Sequence, residues 1–257
     1  MLFKNLLWNE ISQCKWLIWI GLTLIILNVF LVVFSYGLVG GVIKGVKLDI
    51  QDNFKLNCMT PDVPDEFTYY IWSQWNAKSL SQLGVIFVIF LATTQFVGEN
   101  SRKNISFLLS RPVGRKLVFL SKSSAGVLVI LFLFGVGAGF LWIFSELFHY
   151  QAAWSRILLS GMLSIVWLIL FYLLGCLLSI LTSIPLTAGL AIIGVGFVLS
   201  IPGWFEALRE FSIFYQMRAI TYFLKGAFPL VKTLIAVFLG GGLYYIAQNS
   251  FVKRDYA

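Results

Sequence analysis

Few side chains in this 257-residue chain carry reactive chemistry, and their spacing keeps them apart. The single histidine, His149, follows Glu146 by three positions, and the cysteines stand alone at 14, 58 and 176. Nucleophilic catalysis needs a base within hydrogen-bond reach of its nucleophile, and a protein metal site needs several convergent N, S or O ligands. One imidazole and scattered thiols assemble neither, so no catalytic residue and no metal ligand is expected, and His149 reads as a surface residue. The chain also has no GxxxxGK[ST] run, the P-loop by which many proteins hold ATP.

Chemistry of another kind is concentrated in one stretch, Gly98-Glu99-Asn100-Ser101-Arg102-Lys103-Asn104-Ile105-Ser106-Phe107-Leu108-Leu109-Ser110-Arg111-Pro112-Val113-Gly114-Arg115, with Lys122 shortly after. Residues 99–110 read as a short helix. Glu99 pairs with Arg102 and Lys103 at i+3 and i+4, Ile105, Leu108 and Leu109 form an apolar stripe, and Pro112 ends it. The stripe faces lipid or a protein partner, while Arg102, Lys103, Arg111, Arg115 and Lys116 face anionic headgroups or that partner's acids. Two amides, Asn28 and Gln95, fall in otherwise apolar surroundings. An amide in hydrocarbon needs a partner, so each must face another helix or a substrate pathway.

The elements that hold these residues follow from the charges. Hydrophobic residues make up 59% of the chain and charged ones 12%, half the usual share, at a mean hydropathy of +0.88, which excludes a soluble enzyme and a disordered chain. A charge near the bilayer centre costs roughly 2.5 to 3.5 kcal/mol, so charge-free intervals mark the spans. They lie between Lys15 and Lys44, Lys78 and Glu99, Lys122 and Glu146, Arg156 and Glu206, and Lys232 and Lys253. The fourth, residues 157–205, would make a single helix of about 74 Å, far beyond a core of about 30 Å. It must fold back at Thr182-Ser183-Ile184-Pro185, because proline restricts the residue before it and removes a backbone donor. The expectation is an all-α polytopic membrane protein of six transmembrane helices with an N-terminal interfacial helix, one domain over residues 1–257. No acidic or basic residue is expected inside a span.

Six spans put both termini on one side. Six of the ten basic residues on that side crowd into the short stretch from Glu99 to Lys122, and the positive-inside rule makes that side cytoplasmic. Cys58 is then the only outer cysteine, so no structural disulfide is expected. The first apolar stretch is too long for a signal-peptide core and reads as a retained anchor in the cell membrane. Before it, Phe3, Leu6, Leu7, Trp8 and Ile11 recur at helical spacing while Lys4, Asn5, Asn9, Glu10 and Lys15 interleave, which suits an interfacial helix over 1–15. Residues 99–122 form a cytoplasmic loop. On the opposite side, Phe67, Tyr69, Tyr70, Trp72 and Trp75 read as an interfacial aromatic belt, and the apolar segment 204–230 as short helices in the outer leaflet.

The inner loop resembles that of the type-2 permeases of ATP-binding-cassette (ABC) transporters, in which a Glu-opened stretch between the second and third spans closes with Leu-Leu-Ser-x-Pro-x-Ser-Arg and then a Lys about seven residues on. Glu99, Leu108, Leu109, Ser110, Pro112, Arg115 and Lys122 match. Gly114 replaces the usual Ser, and Lys103-Asn104 stands where many members have Gly-Thr. The family's interfacial first helix, six spans, apolar excursion before the last span and Phe-x-Arg/Lys-Arg-Asp ending, here Phe251-Val252-Lys253-Arg254-Asp255, extend the likeness in outline along the chain.

The resemblance implies a permease subunit, as an exporter, paired with a second permease subunit of the same or a related sequence and driven by a cytoplasmic ABC ATPase subunit that binds the ATP and Mg; this chain itself binds no cofactor. The loop helix would be the coupling helix, with Glu99, Arg102, Lys103, Ile105, Leu108, Leu109, Ser110, Pro112 and Arg115 as contacts, and Asn28 and Gln95 as pathway candidates. Membrane lipid is a further partner, and nucleic acid is not expected. A non-transporting membrane accessory or immunity protein that binds a partner is the alternative. The mild polarity of the spans favours an apolar or amphipathic substrate over a small ion.

Overall fold

The computed structural model describes residues 2–53, 65–97 and 114–254. Its described elements are helical. A short α1 (Leu2–Gln13) leads into α2 (Lys15–Asn53), followed by α3 (Glu66–Phe96), α4 (Arg115–Leu147), α5 (Trp154–Leu181) and α6 (Pro185–Ser200). After single-turn segments at Ile201–Trp204 and Arg209–Phe211 come the short α7 (Ile213–Met217) and α8 (Ile220–Lys225), then the long α9 (Leu230–Lys253). Six of these helices are long and apolar enough to cross a bilayer, so the chain is an all-α, multi-pass membrane protein.

The break in the long apolar interval falls where the proline demands it. α5 stops at Leu181, Thr182 and Ile184 are extended, and Pro185 opens α6 at the first position, where its missing N–H costs nothing. α5 is the most enclosed span, two thirds buried, and packs against α3, α6, α7 and α9; α2 instead pairs with α4. By contrast α6 and α9 are only 17% buried and turn Leu186, Phe197, Phe238 and Leu239 outward, as a lipid-facing helix must. Between α4 and α5 the chain turns at His149, exposed and left-handed (φ 57°), with His149 N–H donating to the Glu146 carbonyl and Tyr150 N–H to that of Ser145. His149 thus serves as a helix-ending residue, at a position often filled by glycine.

Three boundaries differ from the charge-based reading. The first span's helix continues through Lys44 to Asn53, the second begins at Glu66 rather than beyond Lys78, and the third begins at Arg115 rather than beyond Lys122. A lysine long enough to reach the helix surface, or one that finds a carboxylate, need not end a helix. Lys78 is exposed and reaches Gln74 Oε1 at 3.3 Å, while Lys122 is buried. Within α3, residues Trp72–Leu80 wind as a π-helix, and Ser79 Oγ donates to the Gln74 carbonyl five residues back. The wider winding carries Asn76 inward, where its Nδ2 donates to Ser160 Oγ at 2.5 Å and to the Ile157 carbonyl at 3.3 Å.

The expected aromatic belt is instead core. Phe67, Trp72 and Trp75 are each at most 6% exposed. Phe67 packs with Tyr36 and Tyr150, ring centroids 4.8 Å away in both cases, which gathers α2, α3 and the α4–α5 turn at the end of the bundle opposite the termini. Trp72 stacks on Phe223 of α8 at 4.4 Å and 5° between planes, and its indole N–H donates to the Arg218 carbonyl at 3.1 Å. The segment expected at 204–230 is therefore docked on the bundle, α7 and α8 against α5 and Phe223 against Trp72 of the second span, and does not simply float in the interface. Its apolar residues divide the work: Met217 and Phe223 are buried, while Trp204, Phe205 and Phe211 remain exposed.

Trp72→Ala removes both the stack and the indole hydrogen bond, at an expected cost of about 3 to 5 kcal/mol. Hydrogen exchange should rise across residues 213–225 while α4 and α5 stay protected. Unchanged protection of that segment would show that Trp72 does not dock it.

Candidate functional site

At the end of the bundle that carries both termini, apolar helices are joined by a layer of polar contacts. Lys122, two turns into α4, lies 1% exposed with its Nζ 2.9 Å from Glu10 Oε2, itself 2% exposed. Glu10 belongs to the polar face in the sequence reading of α1. It turns inward because an ammonium enclosed by apolar residues needs a carboxylate, and the desolvation penalty is tolerable only for the pair. The outward face of α1 carries Trp8 instead, 74% exposed.

One turn after Glu10, Cys14 extends the layer. Gln95, near the end of α3, offers its Nε2 to Cys14 Sγ at 3.8 Å, and its Oε1 accepts from Tyr172 Oη of α5 at 2.6 Å. Tyr172 is fully enclosed, and the free thiols of Cys14 and Cys176 are both buried. The arrangement depends on a missing side chain. A Cβ on Gly126 of α4 would lie 2.0 Å from Tyr172 Oη and 2.9 Å from Gln95 Oε1, so only glycine lets α4 pass this close.

Two guanidinium groups close the layer. Arg115, the first residue of α4, donates to the carbonyls of Val252 at 2.9 Å and Arg254 at 3.2 Å, at the C-terminal end of α9. Arg254 in turn donates to the carbonyls of Ile180 and Thr182, at the C-terminal end of α5. Helix C-termini carry unsatisfied carbonyls and partial negative charge, so both arginines meet a need that the backbone creates. The third span is thereby tied to the sixth, and the sixth to the fourth.

The sequence-derived residues divide sharply. Glu99, Arg102, Lys103, Ile105, Leu108, Leu109, Ser110 and Pro112 lie outside the described residues, as does Cys58. Arg115 and Gln95 are in the polar layer. Asn28 lies on α2 about 21 Å of helix beyond Cys14, half-buried, with its Oδ1 shielded and without a hydrogen-bond donor among the described residues. The sequence reading omits Glu10, Cys14, Gly126, Tyr172 and Arg254 as functional residues. A signal existed for two of them: glycine inside a helix costs about 1 kcal/mol and calls for a packing reason, and Arg254 belongs to the noted C-terminal motif.

This layer has no arrangement for acid–base or nucleophilic chemistry among its described residues; it is a mechanical junction. The described chain on either side of residues 98–113 ends in it: α3 enters with Gln95 and Phe96, and α4 leaves with Arg115 and Lys122. A family model for the ABC-2 family transporter protein matches residues 23–220, more than three quarters of the chain. No curated protein matches it.

Glu10→Ala takes the carboxylate from a buried ammonium and should cost roughly 3 to 5 kcal/mol, read as a fall in the detergent-solubilised melting temperature. The Glu10→Leu, Lys122→Met double variant should recover most of that loss, because it removes both charges. Equal melting of the single and double variants would mean the pair does not hold α1. Gly126→Ala should also lower the melting temperature, by an overpacking penalty of about 1 to 3 kcal/mol or more, since Tyr172 has nowhere to move.

Proposed function

The chain belongs to the ABC-2 transporter family and is a membrane permease subunit of an ABC transporter, and from that premise we propose that it is the transmembrane half of an exporter driven by a separate cytoplasmic ATPase. The ATPase subunit binds the ATP and Mg; this chain supplies the path and the coupling element. Its single transmembrane domain runs over 1–257, with both termini and the stretch that precedes α4, residues 99–114, in the cytoplasm.

The observation that carries the reading is the double grip of the polar layer on the stretch 98–113. A load applied there reaches α1 through Lys122–Glu10, α5 through Gln95–Tyr172, and α9 and then α5 through Arg115 and Arg254. Such a set of contacts lets a docked partner move helices as bodies, which is what alternating access by a two-state bundle requires. The sequence of the stretch carries an apolar stripe, Ile105, Leu108 and Leu109, to seat in a groove, with Glu99, Arg102 and Lys103 to orient it and Ser110 and Pro112 as further contacts. A second copy of the chain, or a related one, would complete the path against the sparsely buried α6, α9 or α2. Asn28, with its shielded acceptor, is the remaining pathway candidate. The substrate is apolar or amphipathic.

Replacing Leu108 and Leu109 with Asp puts two charges into the proposed docking stripe, where uncompensated charge at a desolvated contact costs several kcal/mol. The double variant should insert, keep its own melting temperature, and lose the ATPase subunit on purification in mild detergent. Retention of that subunit at the unmodified level would make this stretch a topology anchor and remove the coupling role.

A further inference from the structure

Beyond the polar layer, a second cluster of basic groups lies at the opposite end. A cleft of about 280 Å³ between the end of α6 and the α7–α8 region is lined by Arg209, Arg218, Ser200, Ser212, Tyr215 and Trp204. It differs from the apolar grooves among the described residues in having two guanidinium groups and a phenol on its walls. Among the described residues neither guanidinium has an ion-pair or hydrogen-bond partner. The nearest acid in sequence, Glu210, places its carboxylate 3.0 Å from Lys232 of α9 and not against the arginines. Glu206 sits exposed on the intervening turn.

The backbone is spent on holding this shape. Ala219, immediately after Arg218, is left-handed (φ 50°, ψ 33°), a strained conformation for a residue with a Cβ. The strain is kept because the Trp72 indole N–H holds the Arg218 carbonyl and Phe223 stacks on the same indole. On the other wall, Gly203 lies so close to Ser212 that a Cβ there would meet its Oγ at 3.1 Å. Strained backbone of this kind recurs at ligand clamps.

Depth sets the ligand. The span that α6 opens runs over Pro185–Trp204, 20 residues and about 30 Å, the thickness of a hydrocarbon core. The cleft at its end therefore lies at the boundary of core and headgroups, flanked by the exposed Trp204, Phe205 and Phe211. Two forked guanidinium groups suit a phosphate oxyanion, whose oxygens accept paired N–H donors. We propose that this cleft binds the phosphate of a membrane phospholipid in the leaflet at the end opposite the termini. The site stands on the cleft and its depth alone, independently of the exporter reading.

The test uses the purified full chain in mild detergent, titrated with dioctanoyl phosphatidylglycerol, with dioctanoylglycerol as the phosphate-free control, and separately with inorganic phosphate. Bound species are counted by native mass spectrometry. The unmodified chain should hold phosphatidylglycerol and not dioctanoylglycerol. The Arg209→Gln, Arg218→Gln double variant should weaken phosphatidylglycerol binding tenfold or more, since each charge-assisted contact removed contributes severalfold to tenfold in affinity. Both side chains are at least partly exposed, so folding should survive. Arg209→Lys with Arg218→Lys, which keeps the charge and loses the fork, should fall between the two. Equal lipid binding by the unmodified and Gln variants would overturn the site. Capture of inorganic phosphate without phosphatidylglycerol would overturn the lipid assignment and make this a soluble-anion cleft.

Discussion

Lys122 and Glu10 occupy an environment that neither could enter alone. An isolated ammonium among buried side chains would pay several kcal/mol in lost hydration, and the carboxylate would pay as much. Their union at 2.9 Å obliges α1 to fold back against α4 and sets where Cys14 and the start of α2 must lie. With Cys14 in place, the Gln95 amide has a sulfur for its N–H and Tyr172 for its carbonyl oxygen, so α3 and α5 are fixed in turn. Gly126 is the steric counterpart of the same constraint, because α4 must bring Lys122 to Glu10 and still leave room for the Tyr172 hydroxyl one turn later. Breaking the pair would therefore be felt well beyond α1.

The two ends of the bundle are held by different physics. At the termini end the ties are charge-assisted and directional: Lys122 to Glu10, Arg115 to the end of α9, Arg254 to the end of α5. At the far end aromatic faces, Tyr36 with Phe67 and Tyr150 and Trp72 with Phe223, share the work with mostly neutral hydrogen bonds such as those of Ser35 with Tyr70 and of Ala153 N–H to Thr68. Directional bonds resist sliding, whereas packed rings tolerate small shifts with little loss. A load entering at the termini end would thus move helices as units.

Much of the fold was legible in the sequence because a bilayer penalises charge so heavily. Charge-free intervals found all six spans, and Pro185 placed the one turn that charge could not mark. The same rule misplaced the start of the third span, because it treats every lysine as an edge and cannot see a partner 112 positions away. Trp72 and Trp75 were misjudged for a related reason. Aromatic residues next to a span look the same in sequence whether they face headgroups or another helix, and only the docking of α8 on Trp72 and the approach of Gly137 of α4 to Trp75 decide between them. The need of Gln95 for a partner could be read from hydrocarbon physics, but the identity of that partner, Tyr172, could not.

The interior of a single chain offers little to line a polar route. Thr93, Thr94, Ser121, Ser123, Ser145 and Ser164 each donate to a carbonyl three or four residues back, so their hydroxyls serve their own helices. Tyr172 and Gln95 satisfy each other, and α5, at the centre, is packed on several sides. Opening a path through that centre would break buried hydrogen bonds that have no water to replace them. A substrate can instead follow an outer face, where α2, α6 and α9 are mostly unburied and where a closing partner costs no internal contact. That asymmetry is the physical argument for a path built between subunits: the layer that would transmit force is internal and rigid, and the surface that would meet the cargo is external and apolar.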